Sequence, residues 1–393
     1  MMSGRAKVGR PAIVGLAFGL CVGPLVLAPA DQPAPKPILT LRNANHPTIS
    51  ADGSRIAVGP ECGVVEVYQV SPKRKLRTFR PGGCRQWLSS DGQTLVVNGD
   101  RLRLLDVDSG QQLAEIDSMG IEGPEIWWLE EGAPFSSDLR IVGDSLDLLK
   151  REGETTPGVA LWDLENRKLI RTFGEDRYIK DHWGKVFLSA DGRLVAASRW
   201  NVDRPERAMT AVWEVETRRE LLRLPFQCFW LAISADGRRL VTEHRVSGGG
   251  ESLTFSVTEK GELRVERTPG APQPAEPSVY HTEVWEIETG KQVSLIGGGK
   301  DTPFNRAGAG ALSPDGKLLA TGSLGYVVLW NAETGELLTS LPHEGRIPPR
   351  EAVRSIAFSG DGRFLVTDST PTEVVKVWRV GDLLALPAVE PRE

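Results

Sequence analysis

Residues 311–341 read ALSPDGKLLATGSLGYVVLWNAETGELLTSL. Ala311–Ser313 is a short apolar run that ends in Ser313-Pro314-Asp315-Gly316. Leu318–Thr321 is a second run, Val327–Trp330 a third, and Leu337–Leu341, after the turn Glu333-Thr334-Gly335, a fourth. Short β-prone runs punctuated by Asp-Gly and Thr-Gly read as strands joined by tight turns. Asp suits such a turn because its carboxylate bonds its own backbone, and Gly because it accepts positive φ. The unit is a four-stranded antiparallel meander. Alone it cannot cover both faces, so it must stack on copies of itself.

The copies are present. The turn recurs as Ser50-Ala51-Asp52-Gly53, Ser89-Ser90-Asp91-Gly92, Ser189-Ala190-Asp191-Gly192, Ser234-Ala235-Asp236-Gly237 and Ser359-Gly360-Asp361-Gly362, with a damaged copy at Ser136-Ser137-Asp138-Leu139. With Asp315 there are seven turns. Seven third runs each end in a large residue followed by a polar one: Tyr68-Gln69, Leu105-Asp106, Trp162-Asp163, Trp213-Glu214, Trp285-Glu286, Trp330-Asn331 and Trp378-Arg379. A fixed period of about 40–45 residues with four strands per unit is the mark of a propeller blade.

These turns and anchors resemble the WD-repeat family of β-propellers, over nearly all of residues 37–387. The resemblance implies an all-β fold: a single seven-bladed β-propeller of four-stranded antiparallel blades. Only Trp162-Asp163 is a Trp-Asp pair, and the Gly-His dipeptide that opens the family's repeats is missing from every copy. The chain therefore reads as a divergent member, of an exported bacterial type, with the family's buried His/Asp network absent or partial. The family closes its ring with an N-terminal strand that completes the last blade. Ile38–Leu41 resembles such an outer strand and is assigned to the blade of Asp361 and Trp378. Closure removes the free sheet edges that would pair with other chains.

Residues 1–30 stand apart. Arg5, Lys7 and Arg10 precede the uncharged stretch PAIVGLAFGLCVGPLVLAPA, which ends in Ala28-Pro29-Ala30. A basic start, an apolar core and an Ala-x-Ala end describe a secretory signal peptide. The alternative is an uncleaved N-terminal anchor. The expected destination is the periplasm or the medium, either free or held at the inner membrane by the N-terminus. Residues 31–37 form a Pro-rich linker, 38–387 the propeller and 388–393 a tail. Removing three basic residues from 47 leaves 44 against 52 acidic, a formal charge of −8. That balance does not favour nucleic acid as a partner.

Three blades carry extra sequence between their second and third strands: 144–158, 199–210 and, in the fifth, about 245–282. Within the last, Ser252–Val257 and Glu262–Arg267 flank Glu259-Lys260-Gly261 and read as a projecting hairpin. The gap from Asp236 to Asp315 raises an eighth blade, but Thr268–His281 is too short and Pro-rich to supply one. The five histidines, His46, His182, His244, His281 and His343, show no metal-ligand spacing, and no cofactor or metal is implied. His244 and His281 bracket the fifth-blade insertion, either brought together by it or simply two loop histidines. No phosphate loop or nucleophile elbow is present. Asp52, Asp91, Asp191, Asp236, Asp315 and Asp361 recur once per blade and read as structural, as do the anchors Trp162, Trp213, Trp285, Trp330 and Trp378.

The resemblance places Cys62 and Cys84 in loops that open onto one face, and an exported chain meets an oxidising compartment. A Cys62–Cys84 disulfide is expected, with two free thiols as the alternative; Cys228 is left unpaired. Trp183 and Trp200 fall in loops entering and within the fourth blade, again on one face, with Arg199, Arg204 and Arg207 beside them. Exposed Trp with Arg is the composition of interaction hot spots; the other reading is that they pack loops onto the ring. Two functions follow. One is a non-catalytic exported scaffold for protein partners, monomeric, with its face at those residues. The other is a propeller enzyme or small-ligand binder with its site at the central channel mouth.

Overall fold

The computed structural model describes residues 35–385 except 84, 100, 117–134, 152–153, 175–181, 201–206, 247–251, 258–262, 269–278, 297–308, 324–325, 344–351 and 371. The expected signal peptide, Arg204 and Cys84 lie outside the described residues.

The seven Ser-x-Asp turns become seven copies of one hydrogen-bonded device. In each, the Ser hydroxyl donates to the Asp Oδ1 at 2.5–2.7 Å. The same Ser Oγ accepts the amide five residues on, at 2.9–3.0 Å. The Asp Oδ1 accepts the amide two residues on, at 2.9–3.2 Å. The turn thus satisfies the groups freed where the inner strand reverses, which is why Ser and Asp keep their spacing. The turns also bond each other: Ala51 N donates to Ser90 O, Ser90 N to Ser137 O, Ser137 N to Ala190 O, and Asp361 N to Ala51 O. Gly53 at φ +71° shows the demand on the fourth position, since a Cβ there would lie 2.0 Å from the Phe364 ring. Leu139 holds the same backbone at φ +60°. Its side chain is buried against Phe135, Val142 and Trp162, so core packing offsets the strain.

Each turn joins the inner two strands of a meander. Blade one covers 45–79, two 85–116, four 182–224, five 230–296 and six 309–342; each is a four-stranded antiparallel sheet. Blade three, 135–173, has three strands plus an isolated bridge, Phe135↔Val142, in place of an inner strand. Blade seven consists of Ala352–Phe358, Phe364–Thr370 and Val374–Arg379, and Leu39–Arg42 supplies its outer strand. Leu39 pairs with Val377 and Leu41 with Val375, so the N-terminal strand closes the ring as expected. The second strands are buried on both faces, as in Ile56-Ala57-Val58, Val195-Ala196-Ala197 and Leu365-Val366.

In blades two, three and six the polar residue after the anchor caps the outer turn. Asp106 Oδ1 accepts Ser109 N, Asp163 Oδ1 accepts Asn166 N, and Asn331 Oδ1 accepts Glu333 N. Trp162, Trp213, Trp285, Trp330 and Trp378 are 1–5% exposed. Trp285, Trp330 and Trp378 each donate their indole N–H to a buried Thr of the neighbouring strand, Thr242, Thr321 and Thr367, at 2.8–3.1 Å. In blade seven His343 Nε2 lies 2.9 Å from the same Thr367 hydroxyl. One copy of a buried His–Thr–Trp network is therefore present, though no Gly precedes that histidine.

Four features depart from the sequence reading. The 144–158 insertion extends the sheet: Ile141–Arg151 and Glu154–Asp163 pair almost to their tips. Trp183 and Trp200 lie on strands, not in loops; Trp183 pairs with Arg199, and His182 with Trp200. A short helix, Val380–Leu384, follows the last strand and buries Val380 and Leu383. The fifth-blade insertion contains a separate hairpin, Ser252–Val257 with Leu263–Thr268, displaced by one residue in its second strand from expectation.

Candidate functional site

The inner strand of a blade starts, and its second strand ends, on the face opposite the Ser-x-Asp turns. On that face blades four and five gather most of the chemistry. Their inner strands, His182–Leu188 and Trp230–Ile233, are neighbours in the ring. The connection between the blades, Pro225-Phe226-Gln227-Cys228-Phe229, crosses this end.

The five residues expected to form a partner face divide here. Trp183 is 6% exposed, donates its indole N–H to Gly174 O at 3.2 Å and meets Trp213 edge-on at 5.4 Å. Arg199 is 9% exposed; its guanidinium lies 5.4 Å from the Trp183 ring and donates to Arg207 O at 3.1–3.2 Å. These two are packed into the blade, so neither offers a free surface. Strand pairing explains the correction: cross-strand neighbours on a packed blade face are buried together. Trp200 and Arg207 are half-buried, and Trp200 lies against Gly184, where a Cβ would come within 2.4 Å of its ring. Arg204 is outside the described residues. Beside them, Phe229 is 40% exposed and meets the half-buried Tyr280 edge-on at 5.6 Å. The sequence reading passed over Phe229 because it sits in no motif. Its signal was a third aromatic or apolar residue, in Phe226-Gln227-Cys228-Phe229, where a short connection needs none.

One layer further in, His244, His281 and Glu283 converge. His244 pairs with His281 across the second and third strands of blade five, and Glu283 is two residues on from His281. Residues i and i+2, plus the cross-strand partner of i, share one sheet face. The same row continues to Thr242 and Trp285. The side-chain ligand atoms of the three lie within 4.8 Å of one another. His244 Nδ1 is 3.7 Å from one Glu283 oxygen and His281 Nδ1 is 4.0 Å from the other. Neither distance is a hydrogen bond. His244 Nδ1 and Glu283 Oε2 are buried without a hydrogen-bond partner among the described residues. Each such atom costs about 1–3 kcal/mol.

Burial sets the charges. It pushes the Glu283 carboxyl up to about 7. Burial, with the neighbouring His281, holds His244 down to about 3, and burial also lowers His281. Phe226 roofs the cluster, its ring 3.8 Å from His244 and nearly parallel at 16°. Cys228 is a free, buried thiol pushed up to about 12 by burial, and Thr210 donates to its sulfur at 3.1 Å. A thiol so held is inert as a nucleophile. His244 and His281 are thus strand residues brought face to face.

A second polar group occupies the inner strands of blades one and two. Gln86 Nε2 donates to His46 O at 2.6 Å, while Gln86 Oε1, Asn45 Oδ1 and Thr48 Oγ1 have no hydrogen-bond partner among the described residues. In the adjoining blade Asp368 is fully buried, raised by that burial, and accepts the amides of Ser355 and His46 at 2.6 and 3.2 Å.

Cys62 is disulfide-bonded. Gly63 N donates to Gly83 O at 2.8 Å, which sets the backbone beside Cys62 next to the residue that precedes Cys84.

Comparisons with known proteins agree with this architecture. The sequence model of the family described as WD domain, G-beta repeat matches residues 309–331, the same blade-six unit quoted first. No curated protein matches the chain. Among solved structures, the β-propeller domain of Cps50 (Swd1) from Myceliophteria thermophila is similar, with a TM-score of 0.59 at 14% identity, covering 88% of this chain and 100% of that domain. At that identity the likeness concerns the fold.

Proposed function

We propose that this chain is a non-catalytic interaction scaffold, exported to the periplasm or beyond, whose partner docks on the blade four–blade five end of the ring. The observation that carries the reading is the aromatic pair Phe229–Tyr280, the first 40% exposed, beside Trp200 and Arg207. Aromatic and Arg side chains on a rigid support are what protein interfaces use as anchors. WD-type propellers commonly serve as such supports, and the opposite face is seven repeats of one inward-bonded turn. Cys62–Cys84 is the expected pairing and fits an oxidising compartment. The partner is a protein, the ring a monomer, and any membrane contact runs through the N-terminal segment.

The test compares the chain from Asp31 with a Phe229→Ala/Arg207→Glu variant of equal melting temperature, each used to capture protein from the exported fraction of source cells. A partner held by the parent and lost by the variant supports the reading. A partner held equally by both removes this face from it. Trp183 is unsuited to the test, since its loss would empty the blade core.

A second reading has its own support. Three buried acceptors without partners among the described residues, on Asn45, Thr48 and Gln86, suit a small polar ligand at the channel mouth. Retention of a small polar molecule by the chain, lost on Gln86→Leu, would favour it over the scaffold.

A further inference from the structure

We infer that His244, His281 and Glu283 form a binding site for a divalent transition cation of the zinc class. The inference is independent of the scaffold reading and rests on side-chain placement within blade five. Two imidazoles and one carboxylate are a donor set that zinc accepts, with a fourth position left for water or a partner's side chain.

The geometry fits. Two ligand atoms each about 2.1 Å from one tetrahedral ion lie about 3.4 Å apart. His244 Nδ1 and Glu283 Oε2 are 3.7 Å apart, and His281 Nδ1 and Glu283 Oε1 are 4.0 Å apart. The facing atoms are already near the spacing an ion imposes, and they are too far apart to bond each other. Side chains 3% exposed at His244 and Glu283, aimed at one point with unpartnered atoms, call for a third party there. A proton does not suffice, because it cannot bridge that distance.

The supports are also in place. Antiparallel pairing fixes His244 against His281, the Phe226 ring locks the His244 plane, and the Trp285–Thr242 bond pins the next step of the row. His281, 34% exposed, supplies the entry path from solvent. Glu243 is buried on the other sheet face and does not join them. The site opens beside Phe229 and Tyr280, so a bound ion with one free position stands next to the proposed docking surface.

The experiment uses the chain from Asp31 without a histidine tag, stripped with chelator, then titrated calorimetrically with zinc chloride and analysed for metal after dialysis. The parent is expected to retain one zinc per chain and to melt at higher temperature with zinc than without. His281→Ala and Glu283→Gln are expected to weaken zinc by at least about tenfold while melting like the stripped parent. Loss of the zinc-induced melting shift in these folded variants supports the site. A parent that retains no zinc, or variants that bind it as tightly as the parent, would overturn it. Should both variants misfold, cobalt(II) substitution of the parent decides. Tetrahedral ligand-field bands without thiolate charge transfer support the site; thiolate charge transfer, or no tetrahedral species, overturns it.

Discussion

At the scale of single residues the molecule repeats two devices: a Ser and an Asp that close each inner turn, and, in three blades, a Thr that accepts the anchor indole. Gly53 and Thr367 test the two. Gly53→Ala places a Cβ 2.0 Å from Phe364 at φ +71°, so it is expected to destabilise the ring by about 2 kcal/mol or more. Urea unfolding checks this, and a midpoint equal to the parent's would refute it. Thr367→Val keeps shape but removes the acceptor of the Trp378 indole, with an expected loss of about 1–3 kcal/mol. The turn aspartates give a pH dependence. Burial raises Asp52, Asp191, Asp315 and Asp361, but the Ser hydroxyl and backbone amides that bond them win, and each ends below its ordinary 3.8. A depressed folded value means stability that is present above pH 3.8 and lost as pH falls through the folded value. Unfolding midpoints are therefore expected to drop steeply below pH 3.8, and less so in Asp→Asn variants of these turns. Ser50, Asp52 and Gly53 were legible in sequence because local bonding alone demands them. Glu283 was not, because its role comes from a strand register that no spacing rule reveals.

At the scale of elements, Leu39–Arg42 is the test of closure. It pairs with Val374–Val377 and buries Leu39 and Leu41 to 3% and 5% exposure. Burying each is worth about 1.5–3 kcal/mol, so deleting residues 37–43 is expected to cost about 3–6 kcal/mol. That is a large share of the 5–15 kcal/mol typical of folded domains. The freed edge of Val374–Val377 should also promote self-association, visible as concentration-dependent scattering. Unchanged melting after deletion would contradict closure by this strand. Blade boundaries and the closing strand were readable because Asp-Gly turns and alternating runs are local signals. The 144–158 segment was legible only as extra sequence between two strands, because extended pairing past the blade edge depends on the partner strand. Trp183 was misplaced for a related reason. A Trp outside the repeat looks exposed in sequence, yet cross-strand pairing with Arg199 carries it into the core.

At the scale of the whole molecule, a ring of seven like blades needs no chemistry of its own to be stable, which leaves its ends free to differ. One end is uniform: seven turns of one internally bonded form, five of them also bonded to a neighbouring turn. The other end carries the elongated strands of blades three to five, Phe229 and Tyr280, and the His244–His281–Glu283 cluster. The insertions of three blades pointed to this asymmetry in the sequence, but not to Phe229, Tyr280 or Glu283, because the repeat pattern describes only what the blades share. Non-reducing peptide mapping is expected to recover Cys62 joined to Cys84 and Cys228 as a free thiol; Cys62 and Cys84 recovered as two free thiols would count against that pairing. The most direct test of the account is cross-linking mass spectrometry on the captured complex of the chain from Asp31. The account predicts cross-links that cluster around Trp200, Arg207, Phe229 and Tyr280. Cross-links confined to the Ser-x-Asp turn face, or a folded ring that captures no protein at all, would contradict it.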